Sequence, residues 1–278
     1  MGIFNPPRIS NPIAYLFVDG AYLRERYRTS MTAVFGIDGD LDVRKIYDLF
    51  TRELKRVFYY DCLQDIQCDG EDDSNFRSRV AEQEERFEQI QLATGYHVRL
   101  GSLSGTSKKI RQKKVDVLLA VEALDHAARK NMEVACLLAG DLDFVPVVES
   151  LVRMGTWVEV IYDPRSAARH LYLAADGSHK LGFERYYDWS TDSFRNSHPI
   201  PTRRFNESIP AERYGELLKV GKTSHGEYVA LGERPGEKFL YVQSGRWGGS
   251  NLVLSHPNVT ELERYFVEAM DGVEWKGE

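Results

Sequence analysis

The sequence is poor in cysteine, with 3 among its 278 residues. So small and odd a number argues against a disulfide framework and is typical of reduced thiols in a cytoplasmic protein. No stretch approaches the roughly eighteen continuous apolar residues of a membrane span, so we expect no membrane partner. The first twelve residues are polar and contain proline, and they lack the apolar core expected of a signal peptide.

The sequence also lacks an excess of positive charge. It has 36 lysines and arginines against 42 aspartates and glutamates, a net charge of −6, so composition alone does not indicate a nucleic-acid-binding protein. The charges are unevenly distributed, however, with an acidic run at 69–73 and a basic run at 108–114. Either run could be a solvated loop. The basic run consists of Lys108, Lys109, Arg111, Lys113 and Lys114.

Strand-like and helix-like segments alternate through the first two thirds of the chain. Apolar runs ending at Asp19 and Asp61 predict strands, and the fully apolar segment Val134–Ala139 predicts a strand buried on both faces. The residues at 115–130 and 144–154 have helical spacing of their apolar positions. This alternation predicts an α/β fold with a central parallel sheet and right-handed crossovers.

The pattern changes after about residue 190. We predict an N-terminal tail at 1–12, a main domain at 13–190 and a proline-containing linker at 191–210. Short strand-like runs and a closing helix then predict a small C-terminal α+β unit at 211–278. Within the main domain, the polar segment 101–114 predicts a flexible basic loop.

Four aspartates fall at the ends of predicted elements. Asp19 ends the first strand, and Asp141 and Asp143 follow the buried strand. Because ligands bind beyond the carboxyl ends of parallel strands, these three converge if the two strands are neighbours. Asp116 opens a helix and can join them. Carboxylates this close need protons or a cation, and oxygen ligands suit Mg²⁺ or Mn²⁺, whereas no His or Cys set has zinc spacing.

Each of these aspartates also has a purely structural explanation. Asp143 could cap the helix that starts at Phe144, Asp19 could be a turn residue, and Asp116 could favour its helix dipole. The occurrence of all four at element ends favours a shared site instead. A cation held there could activate water for attack on a phosphodiester, and the neighbouring basic run would neutralise the nucleic-acid backbone.

Three segments around these acids resemble the NYN domain, a branch of the PIN-like nucleases that includes the LabA-like bacterial proteins. The segments are 17–23, 114–120 and 138–146, and the resemblance covers roughly residues 13–183. It implies a three-layer α/β/α fold and metal-dependent cleavage of RNA. By position, it assigns the metal-binding and catalytic roles to Asp19, Asp116, Asp141 and Asp143.

One residue departs from the family pattern, because Tyr22 stands where the family commonly has asparagine. An asparagine could contact a phosphate or a metal-bound water, and Tyr22 could do so only with a longer reach. We therefore predict a cytoplasmic endoribonuclease that uses Mg²⁺ or Mn²⁺ and contacts RNA through the basic run and Tyr22. A nucleic-acid-binding or regulatory module with little turnover and a DNA-directed nuclease remain alternatives, and a homo-oligomer is compatible with the sequence.

Overall fold

The computed structural model describes residues 12–49, 54–106, 109–113, 115–206, 210–243, 251–270 and 272–276. The chain divides into two compact units. The first comprises Met1–Arg26 and Asp42–Leu181, and the second comprises Tyr27–Leu41 and Gly182–Glu278. In the parts of the chain that the structure describes, no helix combines the length and apolar composition that crossing a bilayer requires.

The first unit is built on a seven-stranded sheet within the described residues. Its strands are β1 Ala14–Asp19, β2 Leu54–Cys62, β3 Tyr96–Thr106, β4 Lys109–Lys113, β5 Val134–Leu138, β6 Trp157–Tyr162 and β7 Gly177–Lys180. They follow the order β4-β3-β2-β1-β5-β6-β7, and every neighbouring pair is parallel except β3 and β4. The predicted α/β fold with a parallel central sheet is thus confirmed.

Helices flank this sheet and connect its parallel strands. They are α1 Gly20–Phe35, α2 Asp73–Leu92, α3 Val115–Ala128, α4 Val145–Arg153 and α5 Arg169–Leu173, with 3₁₀ helices at Val43–Leu49 and Leu142–Phe144. The first seven residues of α1 belong to the first unit and the others to the second. All of β5 is buried, as its continuous apolar sequence predicts for a central strand. Apolar faces of α3 and α4 contribute to the same core.

The predicted flexible loop at 101–114 is largely an antiparallel β-hairpin. Strand β3 continues to Thr106, and β4 pairs with it from Ser102↔Lys113 to Thr106↔Lys109. The prediction of a loop was wrong because this segment is polar and lacks the apolar alternation that signals a strand. Backbone pairing with a neighbouring strand provides partners for its N–H and C=O groups without an apolar pattern.

The second unit contains an antiparallel sheet with the order β13-β9-β10-β11-β12-β8. Its strands are β8 Thr202–Asn206, β9 Glu216–Thr223, β10 Tyr228–Arg234, β11 Glu237–Gln243, β12 Asn251–His256 and β13 Val273–Trp275, and its helices are α6 Phe183–Asp188, α7 Asp192–Ser197, α8 Ala211–Tyr214 and α9 Val259–Ala269. Both α7 and β8 lie within the segment 191–210, which the sequence predicted to be a linker without regular periodicity. Pairing of β8 with β12 explains the difference, because an edge strand needs only one neighbour.

The turn from β1 to α1 leaves no space for a side chain at its first residue. A Cβ atom added to Gly20 would lie 2.6 Å from Cζ of Tyr59 and 2.7 Å from the backbone oxygen of Tyr60. Both residues belong to β2, which pairs with β1. Glycine at this position therefore lets the chain turn directly from Asp19 into the helix while it stays packed against β2.

Gly20→Ala is expected to destabilise the protein by about 1–3 kcal/mol, because the added methyl group meets a backbone atom that cannot move aside. Gly182→Ala is the matched control, since no heavy atom of the described residues, apart from Gly182 and its two chain neighbours, lies within 4 Å of the position that its Cβ would take. Thermal unfolding of both variants measures the difference. Equal midpoints for the two variants would contradict the proposed crowding at Gly20.

Candidate active site

A cleft of about 530 Å³ lies at the edge of the sheet where β1 and β5 end. Its walls come from the end of β1, the first two turns of α1, the turn after β5 and the segment that precedes α5. Asp19, Tyr22 and Asp141 all line this cleft. The structure therefore brings together two of the four predicted acids and the tyrosine that departs from the family pattern.

Asp19 is largely buried at the end of β1. Burial is the main cause that raises its pKa, to about 6, and the negative charge of Asp116 raises it further. The backbone N–H of Tyr22 donates to Oδ1 of Asp19 at 3.1 Å and, with the charge of Arg24, limits this increase. Asp19 thus has a carboxyl group that is costly to ionise in the protein alone.

We call the sheet edge that carries the predicted acids Asp19, Asp116, Asp141 and Asp143 the acidic edge. Asp116 interacts electrostatically with Asp19 and with the two acids after β5. It lies in the first turn of α3, and its side chain is exposed. Although the residue is exposed, partial desolvation of its carboxyl group is the main cause that raises its pKa, and the charges of Asp141 and Asp143 add to the increase. The charge of Asp116 in turn raises the pKa of Asp19.

In the turn after β5, Asp141 and Asp143 have different local roles. Asp141 caps the 3₁₀ helix Leu142–Phe144, and its Oδ1 accepts a hydrogen bond from the backbone N–H of Asp143 at 3.0 Å. Helix α4 begins after Phe144, which provides no side-chain cap. The capping role that the sequence suggested for Asp143 therefore belongs to Asp141. Both acids are exposed, so neither is enclosed by the turn.

The acidic edge has the donor chemistry of a site for a hard divalent cation. Only carboxylate oxygens are involved. The pKa values of Asp19 and Asp116 are raised mainly by burial and secondly by neighbouring carboxylates, and a cation would offset both effects. Within the described residues, no three His, Cys, Asp or Glu side chains are arranged so that they could hold a metal ion. The carboxylates therefore fit such an ion in their chemistry, while their present arrangement does not form a closed ligand set.

Tyr22 connects α1 to the segment that follows β6. Its Oη accepts a hydrogen bond from the backbone N–H of Asp163 at 2.9 Å and lies 3.3 Å from the hydroxyl of Ser166. Its ring lies over Gly140, where an added Cβ would be 2.3 Å from Cε2 of Tyr22. The sequence predicted that the Tyr22 hydroxyl contacts a phosphate. In the structure this hydroxyl is hydrogen-bonded to the segment after β6, although Tyr22 still lines the cleft.

Two ion pairs, each with a buried carboxylate and a partly exposed arginine, were missed by the sequence analysis. Asp61, at the end of β2, is fully buried and pairs with Arg24, and it also accepts hydrogen bonds from the Tyr59 hydroxyl at 3.0 Å and from the Cys62 N–H at 2.7 Å. The sequence offered only one signal for Asp61, its position at the end of a predicted strand.

The second ion pair follows β6. Asp163 is fully buried and receives two side-chain hydrogen bonds from Arg165, at 3.0 and 2.7 Å. Burial raises its pKa, but the hydrogen bonds of Arg165 and the charges of Arg165 and Arg26 give a net decrease. The Asp163 side chain is therefore ionised. The backbone N–H of Asp163 donates to Tyr22. Nothing in the spacing of these residues along the chain indicated the pair.

The predicted basic surface lies partly outside the described residues. Lys108 and Lys114 are outside them. Lys109, Arg111 and Lys113 occupy alternate positions of β4, which directly precedes the helix that carries Asp116. The contact of these five residues with nucleic acid stays a prediction.

Comparison with known proteins gives a family match and several distant similarities to solved structures. The NYN domain family matches residues 14–182. A Vibrio parahaemolyticus protein of unknown function is 17% identical, with a TM-score of 0.46, and covers 67% of this chain and 100% of its own. A proposed oxidoreductase from Parabacteroides merdae is 12% identical, with a TM-score of 0.28, and covers 63% of this chain and 33% of its own. No curated protein matches the chain.

Asp19→Asn is expected to remove a pH dependence of stability. The pKa of Asp19 is raised from 3.8 to about 6, so the folded state prefers the protonated carboxyl. The contribution of Asp19 is therefore most favourable below pH 3.8, declines as the pH rises towards 6 and stays unfavourable above it, a total change on the order of 3 kcal/mol. Thermal unfolding in EDTA between pH 4.5 and 7.5 measures this. An Asn variant less stable than wild type at pH 7.5 would contradict it.

Tyr22→Phe is expected to destabilise the protein by about 1–2 kcal/mol, because it keeps the ring on Gly140 but leaves the Asp163 N–H without its acceptor. Tyr172→Phe is the control, since Tyr172 stacks on Tyr162 at 4.3 Å and its hydroxyl makes no hydrogen bond with the residues described here. Urea denaturation compares the two variants. If both lose the same stability, the hydroxyl of Tyr22 does not support this segment.

Proposed function

Because this chain belongs to the NYN domain family, a family of PIN-like nucleases, we propose that it is a metal-dependent endoribonuclease. The observation that carries the proposal is the pair Asp19 and Asp141 on the walls of one cleft, with Asp116 coupled to both sides of it. An acidic cleft of this kind repels a polyanion unless a cation compensates for its charge. The proposal therefore requires a divalent ion, Mg²⁺ or Mn²⁺.

The protein residues have separable roles in this proposal. Asp19 and Asp141 would hold the cation from the ends of neighbouring strands, and Asp116 and Asp143 would complete its environment. When bound, the cation supplies the positive charge that hydrolysis of a phosphodiester requires. Asp19 keeps a fixed orientation through the Tyr22 N–H, and the basic residues of β4 would neutralise phosphates along the RNA.

Asp141→Asn and Asp19→Asn are each expected to lower the rate of RNA cleavage by roughly 100-fold or more, because each removes a carboxylate from the cation. The exposed Asp125, which pairs with Arg129, provides the control variant Asp125→Asn. The measurement is cleavage of a labelled RNA with Mg²⁺ or Mn²⁺. A second readout is the unfolding temperature, which Mn²⁺ should raise in wild type and not in Asp19→Asn.

Wild-type protein that cleaves neither RNA nor DNA with either metal would overturn the proposal. A matched DNA oligonucleotide belongs in the same experiment, because cleavage of DNA in preference to RNA would change the substrate class. Full activity of the Asp141→Asn and Asp19→Asn variants would remove these residues from the mechanism.

A second candidate is an RNA-binding or regulatory module with little turnover. One observation favours it, namely that no three acidic, histidine or cysteine side chains among the described residues are arranged to hold a metal ion. Binding of RNA without cleavage, unchanged by Asp19→Asn and Asp141→Asn, would select this candidate over the nuclease.

A further inference from the structure

The cleft contains a positively charged side chain, Arg26, that has no role in the proposed metal chemistry. Arg26 lies in the second turn of α1 and lines the same cleft as Asp19 and Asp141. Among the cleft-lining residues that the structure describes, it alone is basic. Its side chain is 18% exposed, so most of it is held against the protein instead of extending into solvent.

Helix geometry places the guanidinium beside Tyr22. Positions four apart lie on the same face of a helix, and long side chains on a helix point back towards its N-terminus. The electrostatic effect of Arg26 on Tyr22 and on Asp163 agrees with this placement. Seven residues separate Asp19 from Arg26, so their Cα atoms are roughly 10 Å apart along the helix axis. Arg26 therefore lies beside the acidic edge and is not part of it.

Within the part of the chain that the structure describes, the guanidinium keeps donors available for a ligand. Its Nη2 donates to Oε1 of Glu25 at 2.6 Å, and the Glu25 side chain is 61% exposed. A guanidinium has five N–H donors in a planar fork that matches the oxygens of a phosphate. A neighbouring exposed carboxylate holds such a cation only weakly in water. Ser166, whose hydroxyl lies 3.3 Å from that of Tyr22, adds a further polar group to the lining of the cleft.

We propose that Arg26 binds an RNA backbone phosphate adjacent to the scissile one and so sets the register of the strand in the cleft. The inference rests on the proposed function, because it takes the acidic edge as the place of cleavage. Arg26 is a substrate-binding residue in this arrangement, with Glu25 as a competing anion that the phosphate displaces. Loss of Arg26 should therefore weaken binding and raise KM more than it lowers kcat.

The first experiment compares Arg26→Gln and Glu25→Gln with wild type. The control is Arg153→Gln, because Arg153 is 67% exposed and lies at the end of α4, away from the cleft lining. Binding of a fluorescent single-stranded RNA is measured by anisotropy at several salt concentrations, and KM and kcat are measured with Mn²⁺.

We expect Arg26→Gln to weaken binding about tenfold and to reduce the slope of log K against log salt by about 0.7, the loss of one phosphate contact on a single strand. KM should rise with kcat within about threefold of wild type. Glu25→Gln should bind more tightly, and Arg153→Gln should match wild type. Because Glu25 is exposed, its variant tests the proposal even if Arg26→Gln does not fold, and unchanged affinity of Glu25→Gln would then overturn it.

The second experiment identifies the phosphate. A series of RNAs carries one uncharged methylphosphonate at successive positions. We expect one position at which neutralisation weakens binding to wild type but not to Arg26→Gln, since the two changes remove the same contact. Identical profiles for both proteins would overturn the inference.

The two proposals fail in different ways. If wild type neither binds nor cleaves RNA, the proposed function fails. If wild type binds and cleaves RNA while Arg26→Gln retains its affinity, salt slope and KM, only the role of Arg26 fails.

Discussion

The parallel pairing of β1 with β5 is the constraint on which the acidic edge depends. The two strands pair from Ala14↔Val134 to Val18↔Leu138, so Asp19 and Asp141 emerge at the same edge of the sheet. Burial then raises the pKa of Asp19 to about 6, and the charge of Asp116 adds to this increase. The buried position of Asp19 therefore makes its ionised form costly, and a bound cation would offset that cost.

Ion pairs hold the elements around this edge in place. Arg24 on α1 pairs with the buried Asp61 at the end of β2, and Arg165 pairs with the buried Asp163 after β6. Such pairs contribute little net stability, but the loss of either arginine would leave a fully buried carboxylate unpaired, at a cost of about 3–5 kcal/mol. They therefore fix orientation more than they stabilise. Tyr22 adds to this arrangement through the backbone of Asp163 and so takes part in the architecture of the cleft.

The cleft contains negative and positive side chains, and these lie at different positions along it. Asp19 and Asp141 occupy the edge of the sheet, whereas Arg26 lies two helical turns further along α1. This arrangement suits a ligand with regularly spaced negative charges, one of which contacts a metal ion at the acidic edge while another contacts Arg26. A single-stranded nucleic acid is such a ligand, which joins the metal hypothesis to the role that we infer for Arg26.

The sequence by itself determined the α/β class, the strand that ends at Asp19 and the buried strand before Asp141, because continuous apolar runs and helical spacing are local properties. It did not reveal the β3–β4 hairpin or strand β8, since polar edge strands depend on backbone pairing that leaves no apolar pattern. Tertiary structure alone decided that Tyr22 binds the segment after β6, that Arg24 pairs with Asp61, and that Arg26 enters the cleft. These contacts join residues whose separation along the chain carries no signal, and only the order of strands in the sheet brings them together.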